Sequence, residues 1–121
     1  MHKKAAVLLL MLATLPLQAG ERLTMRVTPM VAREPAFLTV RAMVAADADN
    51  RVLQVVVESA DFYRSSAIDL QGAEAPPLNV FEFRNLPTGD YDVTSTLFDS
   101  HGRRVSSSKQ FRVVQSPGSG R

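Results

Sequence analysis

Cysteine and tryptophan are both absent from the 121 residues, and histidine occurs only at His2 and His101. Without cysteine no disulfide can staple the fold, although small exported domains commonly depend on them. A thiol nucleophile is excluded as well, and so is a lipoprotein leader, which needs a cysteine to acylate. No Gly-x-Ser-x-Gly elbow accompanies His101, so a Ser-His-Asp arrangement has no recognisable frame. Asn-x-Ser/Thr sequons are missing: Asn50, Asn79 and Asn85 are each followed two positions later by another residue type. Convincing helical periodicity and internal repeats are lacking too. What remains is a chain held by packing and sheet hydrogen bonds.

The first nineteen residues read as an export address. Met1-His2-Lys3-Lys4 forms a short positive start, Ala5 to Leu17 an uncharged apolar run, and Leu17-Gln18-Ala19 a cleavage site, with processing expected after Ala19. A run this short does not cross a hydrocarbon core of about 30 Å as a helix, which predicts no permanent membrane anchor. Processing would leave 102 residues, 121 minus 19, the size of one compact domain. It would also remove Lys3 and Lys4, lowering the basic residues from 14 to 12 against 12 acidic ones. A near-neutral domain with no visible cluster of Lys and Arg argues against nucleic acid as a partner. The leader, with the missing cysteines and sequons, points to a bacterial periplasmic or secreted protein.

Downstream, apolar residues alternate with polar ones in short segments, the pattern of antiparallel strands. The inward sets are Leu23, Met25 and Val27; Leu38, Val40, Ala42 and Val44; Leu53, Val55 and Val57; Ile68 and Leu70; Phe81 and Phe83; Tyr91, Val93, Ser95 and Leu97; and Val105, Phe111 and Val113. Pro29 ends the first, since proline cannot donate to a ladder. Gly102 is expected in a left-handed turn after Asp99. The reading is seven strands over residues 22–114, followed by a disordered tail over 115–121. The segment from Phe62 to Leu70 is left unassigned to either sheet. Lys109, beside Ser106-Ser107-Ser108, reads as a guard on an edge strand.

Leu86-Pro87-Thr88-Gly89-Asp90-Tyr91-Asp92-Val93 is the most motif-like stretch. A Pro-Thr-Gly turn delivers a tyrosine to the start of a strand, where its ring enters the core and its hydroxyl meets backbone. This resembles the tyrosine corner of immunoglobulin-like and fibronectin type III-like domains. The resemblance implies an all-β, seven-stranded antiparallel sandwich. It departs from antibody domains in lacking the paired cysteines and the core tryptophan. The fold it implies does not carry a function with it.

Two groups of residues stand out as candidate sites. Val52, Val56, Thr94, Thr96 and Phe98 would share the solvent side of one sheet and are the candidate interaction face. Arg26, Thr39, Arg41, Glu82 and Arg84 would form an ordinary charged face on the other. At one end of the sandwich the loops Ala46–Asn50, Gln71–Pro77 and Asp99–Gly102 would gather Asp47, Asp49, Asn50, Glu74, Asp99 and His101. Carboxylates there could hold calcium, but no glycine or downstream bidentate glutamate follows in register, and a solvated acidic rim is the plainer reading. Tyr63 is the aromatic available for sugar stacking. No catalytic, cofactor or metal residue is assigned. The expectation is therefore an exported, non-enzymatic module that binds another envelope or secreted protein, with calcium or carbohydrate binding at the loops as the alternative.

Overall fold

The computed structural model describes residues 22–117. The leader read over 1–19, its cleavage site and the last four residues of the tail lie outside that range. Eight strands run in the order β1 (Leu23–Thr28), β2 (Val31–Arg33), β3 (Ala36–Val44), β4 (Asn50–Glu58), β5 (Tyr63–Asp69), β6 (Leu78–Leu86), β7 (Gly89–Asp99) and β8 (Arg104–Val114), with a 3-10 turn at Gly72–Glu74. They form an all-β structure of two sheets, ordered β1-β3-β6 and β2-β8-β7-β4-β5. The expected count of seven differs by β2, three residues between Pro29 and Pro35 that pair in parallel with β8. A segment that short has no alternation to read.

Period-two sequence dictates the two layers. Each long strand buries its apolar phase, as in β3, where Ala36, Leu38, Val40, Ala42 and Val44 are buried and the intervening residues are not. The inner faces meet in one cluster that includes Leu53, Val55, Val57, Phe81, Phe83, Tyr91, Leu97 and Phe111. Antiparallel ladders fix the register: Arg26 lies opposite Arg41, and Met43 opposite Leu78. A one-residue slip would turn the apolar set to solvent, so this register is strongly specified.

Three local expectations meet the structure directly. β1 stops at Thr28, before Pro29. Gly102 adopts a φ of 80° in the β7–β8 turn. Tyr91 is buried, and its hydroxyl donates to the Pro87 carbonyl at 2.6 Å, beside Phe62 and Phe111 rings at 5.8 and 5.9 Å. One expectation is corrected. Ile68 was placed inside, yet it is 37% exposed. Ile68 lies on β5, an edge strand of the five-stranded sheet paired only with β4.

Candidate functional site

The loop end is assembled as topology demands. The Ser100 N–H donates to Asp49 O at 2.8 Å and its hydroxyl to Asp49 Oδ1 at 3.0 Å, joining two of the loops. The third loop follows at Gly72, whose φ is +58° and where an added Cβ would stand 2.8 Å from Ala48 O. Only glycine suits both that backbone and that approach. Glu74 and Arg51 line an open groove beside it.

Asp47 and Asp99 are turned back on their own loops. Asp47 accepts from the Asp49 N–H at 2.8 Å. Asp99 accepts from the backbone N–H groups of His101 and Arg103, and from Arg103 Nε at 3.0 Å. Asn50 is buried and ties the Ala45 carbonyl through its amide. His101 is exposed, 3.4 Å from the Ser100 hydroxyl. Among the described residues no three His, Cys, Asp or Glu side chains converge as metal ligands.

Burial would raise the Asp99 carboxyl, but the N–H donors of Arg103 and His101 and the Arg103 guanidinium outweigh it and hold the group below the usual carboxylate range. A depressed folded pKa contributes stability above the unfolded value of about 3.9 and loses it as pH falls through the folded one. Melting temperature measured from neutral pH downward should therefore drop below about pH 4, with Asp99→Asn flattening part of that drop.

The candidate face is also assembled. Val52 pairs with Phe98 and Val56 with Thr94, while Thr96 sits opposite Gln54, all on the outer side of the five-stranded sheet. Thr94 and Thr96 meet Ser108 and Ser106 at 3.2 and 3.1 Å. This face is hydroxylic, however. Its valines and Phe98 are half-buried, with Arg104 over the Phe98 ring at 5.9 Å.

Among the described residues, four of the eight exposed large apolar residues lie on the other sheet, the rest being Met30 and Val31 near β2 and Tyr63 and Ile68 on β5. Phe37, Met43, Leu78 and Val80, each 45–51% exposed, share the outer side of β3 and β6. Among them stand Arg26 and Arg41, directly opposite one another on adjacent strands. Like charges so placed repel, by roughly 0.2–1 kcal/mol. Among the described residues neither arginine has an ionic or hydrogen-bond partner. Both line a groove of about 410 Å³ with Thr24, Met25, Met43 and Leu78. Farther along, Arg84 lies over the Phe37 ring at 5.2 Å and 3.7 Å from Glu82. The face thus has a positive surplus set in apolar surface. On the opposite side Glu58, Asp69, Asp90 and Asp92 outnumber Arg33, Arg104 and Arg112.

Sequence reasoning named those arginines as an ordinary charged face and missed the apolar residues around them. The available signal was that Phe37, Met43 and Val80 are apolar in the phase where strands carry polar residues.

No protein-family model matches the chain, and no curated protein is similar enough in sequence to match. Solved structures do share the architecture. The superoxide reductase (neelaredoxin) from Ignicoccus hospitalis superposes with a TM-score of 0.62 at 12% identity, over 76% of this chain and 80% of that one. A variant of the superoxide reductase from Archaeoglobus fulgidus, in the reduced form, gives 0.55 at 12% identity, over 74% and 88%. The sporulation control protein Spo0M from Bacillus subtilis gives 0.50 at 14% identity, over 79% of this chain and 50% of that one. These likenesses show an all-β fold of the same broad kind.

They also correct the functional expectation. The expectation of a non-enzymatic module for binding another envelope or secreted protein, or calcium or sugar at its loops, rests on the candidate face, the converging loops and the analogy with immunoglobulin-like domains. Structures of this architecture include superoxide reductases, which are redox enzymes, so the fold does not mark a binding module. At such identity it does not assign their chemistry either.

Proposed function

We propose that this domain docks on an anionic lipid surface through the outer face of its three-stranded sheet. The observation that carries this reading is the Arg26–Arg41 pair, without a partner among the described residues, set among exposed Met43, Leu78 and Val80. Arginines that repel each other and meet no acid favour an external anion. Apolar neighbours at the same height favour one that comes with hydrocarbon. Lipid phosphates supply the first and acyl chains the second, each basic residue near such a surface contributing about 1 kcal/mol. A second copy fits this face poorly, since an isologous contact would bring two faces of positive surplus together. Among the described residues no helix is long and apolar enough to cross a membrane. An export leader over residues 1–19 would bring the domain to an outer leaflet.

Superoxide reduction, the activity named for the structural neighbours, is less well supported. Giving one electron to superoxide needs a group that can lose one, such as a thiol, a flavin or a redox metal. Redox metals in proteins favour several imidazole or thiolate ligands. This chain has no cysteine and two histidines, of which His101 stands alone on an exposed turn. Those residues do not fit such a centre.

The immunoglobulin- or fibronectin-like subtype is part of the same reading. It is supported by the Tyr91–Pro87 hydrogen bond and by β1-β3-β6 facing β8-β7-β4-β5.

Docking is tested by sedimentation with vesicles. The protein should pellet with vesicles containing phosphatidylglycerol, release in high salt, and stay in solution with phosphatidylcholine alone. Equal pelleting with both lipids, or with neither, would remove the proposal.

A further inference from the structure

Strand edges offer unpaired backbone to another chain, and folded proteins usually guard them. Here β2 is only three residues long. The β1 edge is flanked by Met30 and Lys109, which line a groove with it. At β6 the Arg64 guanidinium donates to Arg84 O at 2.8 Å. The seven-residue β5 is different: it carries no proline and no lysine, and its Arg64 is spent on β6.

The ladder settles which β5 groups are free. Leu70 N–H donates to Arg51 O and Ser59 N–H to Phe62 O, so Phe62, Arg64, Ser66, Ile68 and Leu70 point their backbone groups at β4. The N–H and C=O groups of Tyr63, Ser65, Ala67 and Asp69 therefore face outward along the edge. No strand among the described residues pairs there.

We infer that a second copy of the chain pairs at this edge, its β5 antiparallel to the first about Ser66. In that register Tyr63 meets the second copy's Asp69 and Ser65 its Ala67, each pair exchanging both backbone hydrogen bonds. All the free residues are used, whereas a shift of two positions strands Tyr63 or Asp69. No like charges come opposite: Asp69 faces a phenol and Arg64 faces Ile68. The exposed Ile68 gains the aliphatic stem of the second copy's Arg64 as cover.

The two-fold axis of such a pair runs perpendicular to the sheet, so it preserves which way each face looks. Both three-stranded sheets then lie on one side of a continuous sheet, and both Arg26–Arg41 faces look the same way. This consequence rests on the proposed lipid docking. It makes docking bivalent, with avidity gained from a second contact on the same surface.

Sedimentation equilibrium on the full chain tests the pairing. The wild type should be a dimer that dissociates on dilution. Ala67→Pro should be a folded monomer melting where the dilute, dissociated wild type melts, because it removes an N–H that faces the edge and leaves the β4 ladder intact. Ser65→Lys sets two ammonium groups beside the axis and should give a monomer without any backbone change. A wild type that stays monomeric at every concentration, or a dimer that survives Ser65→Lys, overturns the inference. On phosphatidylglycerol vesicles the monomeric variants should need roughly a hundredfold more lipid for half-binding. A dimer that ignores lipid would sink the docking and leave the pairing standing.

Discussion

Arg26→Ala/Arg41→Ala should bind phosphatidylglycerol vesicles roughly thirtyfold more weakly than the wild type, while melting at a slightly higher temperature. The first effect follows from about 1 kcal/mol lost per basic residue, taken twice. The second follows from relief of the cross-strand repulsion, worth a few tenths of a kcal/mol to about 1. The opposite signs are the point. A structural role for these arginines would lower stability on truncation and leave lipid binding alone. Titrating lipid against both proteins, alongside denaturant melts, separates the cases. Lost binding with lost stability would mean only that the sheet had been damaged.

Tyr91→Ala should cost about 3–5 kcal/mol, the range for deleting a large buried aromatic. That is a large part of the 5–15 kcal/mol that holds most domains together. The ring sits between Phe62 and Phe111 at the start of β7, so its loss opens a cavity where both sheets meet. Tyr91→Phe keeps the ring and removes the hydroxyl from Pro87 O, and should cost about 1–2 kcal/mol. Burial pushes the Tyr91 phenol above its usual pKa of about 10. Its contribution is therefore complete below about pH 10 and is lost as pH rises through the folded value. Urea melts should show that alkaline loss in the wild type and a shallower one in Tyr91→Phe. Identical alkaline limbs would place the loss elsewhere.

Much of this fold is legible in the sequence because burial acts on alternate residues. Leu38, Val40, Ala42 and Val44 announce β3, and Tyr91, Val93, Ser95 and Leu97 announce β7, since each set must face the same core. The corner motif locates Tyr91 because turn, ring and hydroxyl are local. What the alternation cannot carry is the pairing between strands. Met43 and Leu78 are 35 positions apart, and only the β3–β6 register makes them neighbours. Arg26 and Arg41 likewise read as two unrelated surface charges until β1 is laid against β3. Ile68 is exposed for a related reason: its phase is inward, but it sits on an edge strand with a neighbour on one side only, which the alternation does not show. The loop residues came together because topology gathers them, while their hydrogen bonds, which turn Asp47 and Asp99 onto their own loops and Asp49 onto Ser100, are set by geometry below the level of pattern.

The absence of tryptophan makes the central claim directly measurable, since one introduced indole reports alone. Val80→Trp places it on the arginine face and Thr96→Trp on the opposite sheet. On adding phosphatidylglycerol vesicles, Val80→Trp emission should shift to the blue and become shielded from an aqueous quencher, with Thr96→Trp unchanged. A shift in Thr96→Trp with none in Val80→Trp, or no shift in either, would contradict docking through the three-stranded sheet.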